Sequence, residues 1–232
     1  MRRHFLMGLL ASAFSVCAGL AAPPKKPVQA KTSGAFSDIS LSRETGDVGG
    51  TTLFFFNNGD ADYVIIIKAE GEMKSPQISR TQIDGNNVQF VTQGLDKNLN
   101  PAMVQFRGTF SSGKLSGRFS NGASLDLPRK NPPFMATYSD MVEDRARGKV
   151  VGMEIITFLA DKPYVLVLLG RRNMVFGEAR EQGDSLQFDL RNPDGTQFSF
   201  KGKATRTSLS GTFIQDGYAS PIKLPAKKSI WQ

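Results

Sequence analysis

The sequence predicts an all-β protein built from two copies of one unit, and three observations predict it. Apolar and polar residues alternate with a period of two, turn-forming pairs interrupt the runs at short intervals, and the first half of the chain returns in order in the second.

The alternation is clearest where Val104, Phe106 and Phe110 are interleaved with Gln105, Arg107 and Thr109. Leu186, Phe188 and Leu190 alternate in the same way with Gln187 and Asp189, and Phe198 and Phe200 with Ser199 and Lys201. Successive strand side chains point to opposite faces, so each run has one dry face. The breaks are Asn58-Gly59, Asp84-Gly85, Ser112-Gly113, Asn121-Gly122, Gly183-Asp184, Asp194-Gly195 and Asp216-Gly217. These residues supply the positive φ angles of tight hairpins. No stretch carries a helical stripe.

The repeat is read from ordered matches. Phe36-Ser37-Asp38-Ile39 returns 102 residues later as Tyr138-Ser139-Asp140-Met141, and Gly46, Val48 and Gly50 return as Gly148, Val150 and Gly152. Tyr63-Val64-Ile65 matches Tyr164-Val165-Leu166. Phe106-Arg107-Gly108 matches Phe200-Lys201-Gly202, and Leu115-Ser116-Gly117 matches Leu209-Ser210-Gly211. The spacing changes in turn-like segments such as 57–60 and 94–101, where loops take up insertions. About eight short strands per copy in hairpin succession predict two tandem antiparallel up-and-down small β-barrels. The alternative is one larger closed sheet or sandwich built from both repeats. The runs 52–56, 64–67 and 165–169 are apolar on both faces and are expected to be strands shared between the copies.

The chain opens Met1-Arg2-Arg3-His4, continues apolar through 5–20 and reaches Ala21-Ala22-Pro23-Pro24, the layout of a secretory signal peptide at 1–22. The apolar run is shorter than the roughly 20 residues of a spanning helix, so no transmembrane segment is expected in the mature form. Export through the general secretory route is favoured over the twin-arginine route, because Met7 stands where that motif has a basic residue. Val16 breaks the lipoprotein pattern around Cys17. The expected mature protein is periplasmic or secreted: a flexible linker at 23–34, β repeat 1 at 35–130, a linker at 131–136 with Asn131-Pro132-Pro133, and β repeat 2 at 137–232.

Cleavage removes His4 and Cys17, the sole histidine and cysteine. The expected mature form then has no Ser-His-Asp or Cys-His nucleophile, no Cys/His zinc site, no haem-ligating histidine and no disulfide. No catalytic residues, metal or cofactor are expected, and no enzyme. Loss of Arg2 and Arg3 lowers the formal charge from +8 to +6. Lys25-Lys26, Arg129-Lys130, Arg171-Arg172 and Lys227-Lys228 are scattered over linkers and turns, which reads first as solubility. Nucleic acid is only a fallback partner, since no recognised motif accompanies the charge.

The opening aromatic-Ser-Asp-aliphatic element, Thr45-Gly46-Asp47-Val48-Gly49-Gly50, Tyr63-Val64, Glu70-Gly71, Val88-Gln89-Phe90, Phe106-Arg107-Gly108-Thr109-Phe110, Leu115-Ser116-Gly117 and the closing Lys228-Ser229-Ile230-Trp231-Gln232 together resemble a family of uncharacterised exported bacterial proteins with lipocalin-like small β-barrels. The family's usual ending is Lys-Ser-Tyr-Trp-Gln, from which Ile230 departs. The resemblance implies fold and export, and it brings no activity and no functional residue.

Asp38 and Asp140 are the acids aligned between the copies, and a local backbone hydrogen bond is their expected use. Glu70 and Glu72 share a strand face as a glycosidase pair would, but the second copy lacks them and solvated carboxylates are common. Asp60-Ala61-Asp62 after Asn57-Asn58-Gly59 reads as a hairpin tip before it reads as a cation site. The phenylalanines are expected to fill the barrels. Tyr63 and Tyr164, with Phe106 and Phe200, are the candidate ligand contacts. Trp231 is expected to close the second copy. The functional expectation is a non-catalytic exported binding module for a small apolar or amphipathic ligand. The alternative is an envelope-associated interaction or structural protein that binds a protein or an acidic polymer. Oligomeric state is left open.

Overall fold

The computed structural model describes residues 32–144, 149–170 and 173–230, and every element among them is a strand. The expected leader, most of the linker behind it, Arg171-Arg172 and Trp231 lie outside the described residues.

The first copy comprises β1 (Gly34–Ser37), β2 (Ser40–Leu41), β3 (Val48–Asn57), β4 (Asp62–Met73), β5 (Gln77–Asp84), β6 (Asn87–Leu95), β7 (Pro101–Ser111), β8 (Lys114–Phe119) and β9 (Ser124–Pro128). Eight of these form one antiparallel sheet in the order β1-β3-β4-β5-β6-β7-β8-β9, with β2 beside β3. The sheet curls until its edges nearly meet: Phe36 bridges Arg129, and the Lys130 amide donates to Ala35 O at 3.1 Å. The Arg129 guanidinium then lies 4.6 Å from the Phe36 ring centre, a cation–π lid over the join. Glycines 59, 85, 113 and 122 of the anticipated turns all sit at positive φ, as do 183, 195 and 217 in the second copy.

Inside this barrel-like sheet, Phe36, Phe55, Phe90, Phe106, Phe110 and Phe119 interlock with Leu53, Val88, Val104 and Leu115. Ring centres of Phe90 and Phe106 are 4.9 Å apart, and those of Phe55 and Phe110 5.2 Å. Gly108 and Gly117 pair across β7 and β8 beneath the Phe106 ring. A Cβ at Gly117 would lie 2.5 Å from Arg107 O and would collide with that ring, so both glycines are there for close approach. Phe200 repeats the arrangement over Gly202 and Gly211.

The second copy comprises β10 (Met135–Ser139), β11 (Val142–Asp144), β12 (Lys149–Val151), β13 (Met153–Leu159), β14 (Pro163–Leu169), β15 (Asn173–Glu178), β16 (Arg180–Gln182), β17 (Ser185–Arg191), β18 (Gln197–Ala204), β19 (Ser208–Gln215) and β20 (Tyr218–Pro225). Here the expectation of a second closed barrel is corrected: the strands form two open sheets, β10-β13-β14-β15 and β16-β17-β18-β19-β20, with β11–β12 a separate pair. In the first copy β5 runs unbroken from its pairing with β4 to its pairing with β6, changing neighbour at Thr81. At the corresponding Ala179 the ladder ends, the Ala179 amide donating to Pro163 O at 2.8 Å, and pairing resumes at Arg180 with Gln187. The outer edges still approach through a Tyr138–Ala226 bridge.

The doubly apolar strands are not shared by hydrogen bonding, which corrects the second expectation. They bury one face in their own copy and the other against the opposite copy. Leu53, Phe55, Val64 and Ile66 point into the first core, while Phe54, Phe56, Ile65 and Ile67 pack on Ile156, Phe158, Tyr164, Leu166 and Leu168. Each such side chain is worth about 1.5–3 kcal/mol when fully buried, so this seam joins the halves into one cooperative structure. Truncating its centre, Phe54→Ala, is expected to cost about 3–5 kcal/mol in urea unfolding while leaving a single transition. Separate transitions for the two halves in the parent protein would sink the coupling.

Candidate functional site

The outer face of β5–β8 carries the most distinctive polar surface. Strand alternation that sends Val88, Phe90, Val104 and Phe106 inward sends Gln82, Gln89, Arg107 and Arg118 outward. Register aligns them in one row across five strands: Gln82 opposite Gln89, Gln89 opposite Arg107, Arg107 opposite Arg118, and Arg118 opposite Ser124. Gln89 Nε2 donates to Gln82 Oε1, and Arg118 Nε donates to Ser124 Oγ at 3.3 Å. The next row holds Asp84, Asn87, Thr109 and Ser116. Between the side chains of these two rows the outer face holds a groove of about 830 Å³. A second groove of about 660 Å³ continues it past Gln89 to Gln105, Arg80 and the Asp60–Asp62 turn.

Arg107 and Arg118 are exposed and directly opposed, and neither makes an ion pair among the described residues. Like charges facing each other across a ladder cost on the order of 0.2–1 kcal/mol. The acids on this face are marginal or occupied. Ser116 and then Lys114 hold the Asp126 carboxyl below its ordinary range, keeping it ionised and paired with Lys114 at 3.1 Å. Asp62 accepts from Asn57 Nδ2 at 2.7 Å. In the second copy the corresponding row reads Arg180, Gln187, Lys201 and Thr212, and its smaller groove of about 330 Å³ mixes Arg180 with Glu178 and Asp189.

The four anticipated ligand contacts do not converge. Phe106 and Phe200 are buried in the cores of different copies. Tyr164 belongs to the seam, stacked on Phe176 with ring centres 5.8 Å apart, and Tyr63 packs on the same seam, stacked on Phe56 at 5.7 Å. The repeated Phe-basic-Gly element that drew attention to Phe106 therefore has its exposed member at Arg107. The signal that would have found it is the alignment of Arg107 with Arg118, which depends on register and not on either segment alone.

The acidic candidates also resolve. Asp38 Oδ1 accepts the Thr51 amide, and Asp140 Oδ1 the Met153 amide, each at 2.6 Å and each from the opposing strand instead of a local turn. Gly50 and Gly152 lie at positive φ beside them, and a Cβ would come within 2.8 and 2.7 Å of the respective carboxylates. Glu70 and Glu72 face outward, Glu72 held by Lys74 at 2.9 Å. Asn58 Oδ1 accepts the Asp60 and Ala61 amides at 3.0 Å, so the side chains of 57–62 close their own hairpin. No cluster of three or more potential metal ligands occurs among the described residues.

One buried acid was not anticipated. Glu154 occupies the position of Thr52 in the first copy, opposite Ser139 as Thr52 is opposite Ser37, and is 0% exposed. Ser229 donates its hydroxyl to Glu154 Oε1, whereas Oε2 has no hydrogen-bond partner among the described residues. Burial pushes the carboxyl up, outweighing Ser229, Ser139, the Ile230 amide and the Lys227 charge. No family model matches the chain, and comparison with curated proteins and with solved structures finds no match.

A carboxyl raised above its ordinary 4.5 contributes stability that is fully present below the unfolded value and lost as pH rises through the folded one. Unfolding midpoints of the parent are therefore expected to fall as pH climbs above about 4.5. Glu154→Thr, which adopts the first copy's residue, is expected to flatten that dependence. An unchanged pH profile in this variant would refute the assignment.

Proposed function

We propose that this protein is an exported, non-catalytic binding module of the cell envelope, periplasmic or secreted, that holds an acidic polymer on the outer face of its first barrel. The observation that carries the reading is the exposed, directly opposed Arg107–Arg118 pair in a polar groove. Two unneutralised guanidiniums at adjacent strand positions are costly alone and are relieved by a ligand carrying carboxylates or phosphates, which they grip through charge-assisted, forked hydrogen bonds. Gln82, Gln89, Asn87, Thr109 and Ser116 add neutral donors and acceptors suited to hydroxyl groups along such a chain. Export is supported by the leader-like start of the sequence. The second copy is read as the same lipocalin-like barrel unit, opened at Ala179, in keeping with the exported family that the sequence resembles.

A small apolar ligand would need a shared cavity at Tyr63, Tyr164, Phe106 and Phe200, and these side chains occupy three separate packing clusters. The outer face is therefore preferred to the barrel mouth.

Retention on immobilised polygalacturonate should be salt-sensitive, and Arg107→Gln with Arg118→Gln should weaken it by about tenfold or more, since hydrogen bonds to charged groups are each worth about 1.5–3 kcal/mol. Lys201→Gln in the second copy should have a much smaller effect. Equal retention of the double variant and the parent would refute the groove as the binding surface.

A further inference from the structure

The hairpin of β6 and β7 differs from its counterpart in the second copy in one specific way. Beyond the shared pair of Phe90 with Phe106, matched by Phe188 with Phe200, the first copy continues to Gly94 opposite Ala102 and Leu95 opposite Pro101, whereas β17 and β18 end at Arg191 opposite Gln197. The insertion near 94–101 is two extra rungs, which lengthen the hairpin by about 7 Å at normal strand rise. The turn itself is conserved. The Asp96 amide donates to Asn100 O as the Asn192 amide does to Thr196 O, and Leu99 donates to Asp96 O as Gly195 does to Asn192 O.

Several outward positions on this finger become apolar, while others stay polar: Gln93 stands for Arg191 and Gln105 for Ser199. Val91 stands for Asp189, Met103 for Gln197 and Leu99 for Gly195, and the added rung contributes Leu95 and Pro101. Leu99 is 76% exposed, Met103 64%, Leu95 47% and Val91 44%. Leu99 also keeps the left-handed backbone of the glycine it replaces, with φ 65° against 94°. A bulky side chain is rarely held there without a use. The finger is braced: Asn121 Nδ2 donates to Leu95 O at 2.8 Å, and Asp96 Oδ1 accepts the Asn98 and Asn100 amides at 2.8 and 2.9 Å.

We propose that this finger seats its apolar tip in the interface of an anionic lipid surface, with Arg107 and Arg118 just above the headgroups. The inference rests on the groove reading above and goes beyond it, adding an anionic lipid surface beside which the arginine pair holds its acidic ligand. Charge and geometry favour that occupant. Lys97 is at the tip, its acidic neighbour Asp96 is engaged by backbone amides, and Arg107 lies four residues along β7 from Met103. Four residues of strand span about 14 Å, enough to cross a headgroup layer of about 5–8 Å and leave Leu95, Leu99 and Met103 among acyl chains. Asp62 pairs with Thr81 and Asp84 with Asn87, so these acids lie level with the arginine row and not on the apolar end of the hairpin at Leu95 and Pro101.

The test uses the full mature chain in flotation with phosphatidylglycerol–phosphatidylcholine vesicles and with phosphatidylcholine alone. The parent is expected to bind the anionic vesicles and to retain part of that binding near 1 M salt, where the Debye length falls to about 3 Å. A finger variant, Leu99→Gly with Leu95→Thr and Met103→Thr, is expected to lose vesicle binding about tenfold or more while keeping parental retention on polygalacturonate and the parental unfolding midpoint. A finger variant that floats like the parent overturns the inference, as does a parent that binds the soluble polymer and no vesicles. Loss of a parental dimer in the finger variant, without vesicle binding by the parent, also overturns it in favour of self-association. Unaltered binding of Arg107→Gln with Arg118→Gln to both polymer and vesicles sinks the groove reading instead.

Discussion

The structure depends on the contact between two strand pairs, β3–β4 from one copy and β13–β14 from the other. A strand in a small closed sheet ordinarily has one dry and one wet face. These four have two dry faces, and burying the second is possible only if the copies meet back to back. Phe54, Phe56, Ile65 and Ile67 on one side and Ile156, Phe158, Leu166 and Leu168 on the other are the consequence. Neither copy could expose that surface to water without inviting association.

Once the seam is fixed, the remaining faces are assigned. With β3 and β4 turned toward the partner copy, the wall of the first barrel that faces solvent is β5–β8. The polar rows, the arginine pair and the long β6–β7 hairpin all lie there. The end of the seam is finished differently in the two copies. Ser37 and Thr52 share a 2.7 Å hydrogen bond between neutral hydroxyls, while Glu154 needs Ser229 and the chain from Lys227 to Ile230 laid over it. A buried carboxyl is the costlier solution. It ties the segment from Lys227 to Ile230 to the seam.

How much of this is legible in the sequence depends on whether the information is local. Strand periodicity, the turn glycines and the order of the repeat are local, and they lead to an all-β chain with its turns at Gly59, Gly85 and Gly113. The runs around Phe54 and Val165 stand out as apolar on both faces, but whether such strands share a sheet or pack across a seam depends on long-range geometry. The break at Ala179 was invisible for a related reason, since one residue decides whether a strand passing between two neighbours keeps its ladder. The candidate site is not legible because its defining pair, Arg107 and Arg118, belongs to different strands and becomes a pair only through register. Phe106, conspicuous in sequence, is conspicuous for packing.

Comparison of the two copies separates scaffold from specialisation. Positions that hold the fold are kept in kind: Phe106 and Phe200 over paired glycines, Asp38 and Asp140 on the opposing amide, Gly50 and Gly152 beside them. Positions that face solvent diverge, and three of the differences fall on the arginine row and the long hairpin. Thr212 in the second copy corresponds to Arg118, Gln197 to Met103 and Gly195 to Leu99. Each of these three changes makes the first copy's surface less comfortable in water, through unpaired like charge, exposed apolar area or a leucine in a glycine conformation. Such changes accumulate on one copy of a repeat without unfolding it because the other copy and the seam supply the stability, and their concentration on the face opposite the seam is what a contact surface borne by a supported scaffold requires.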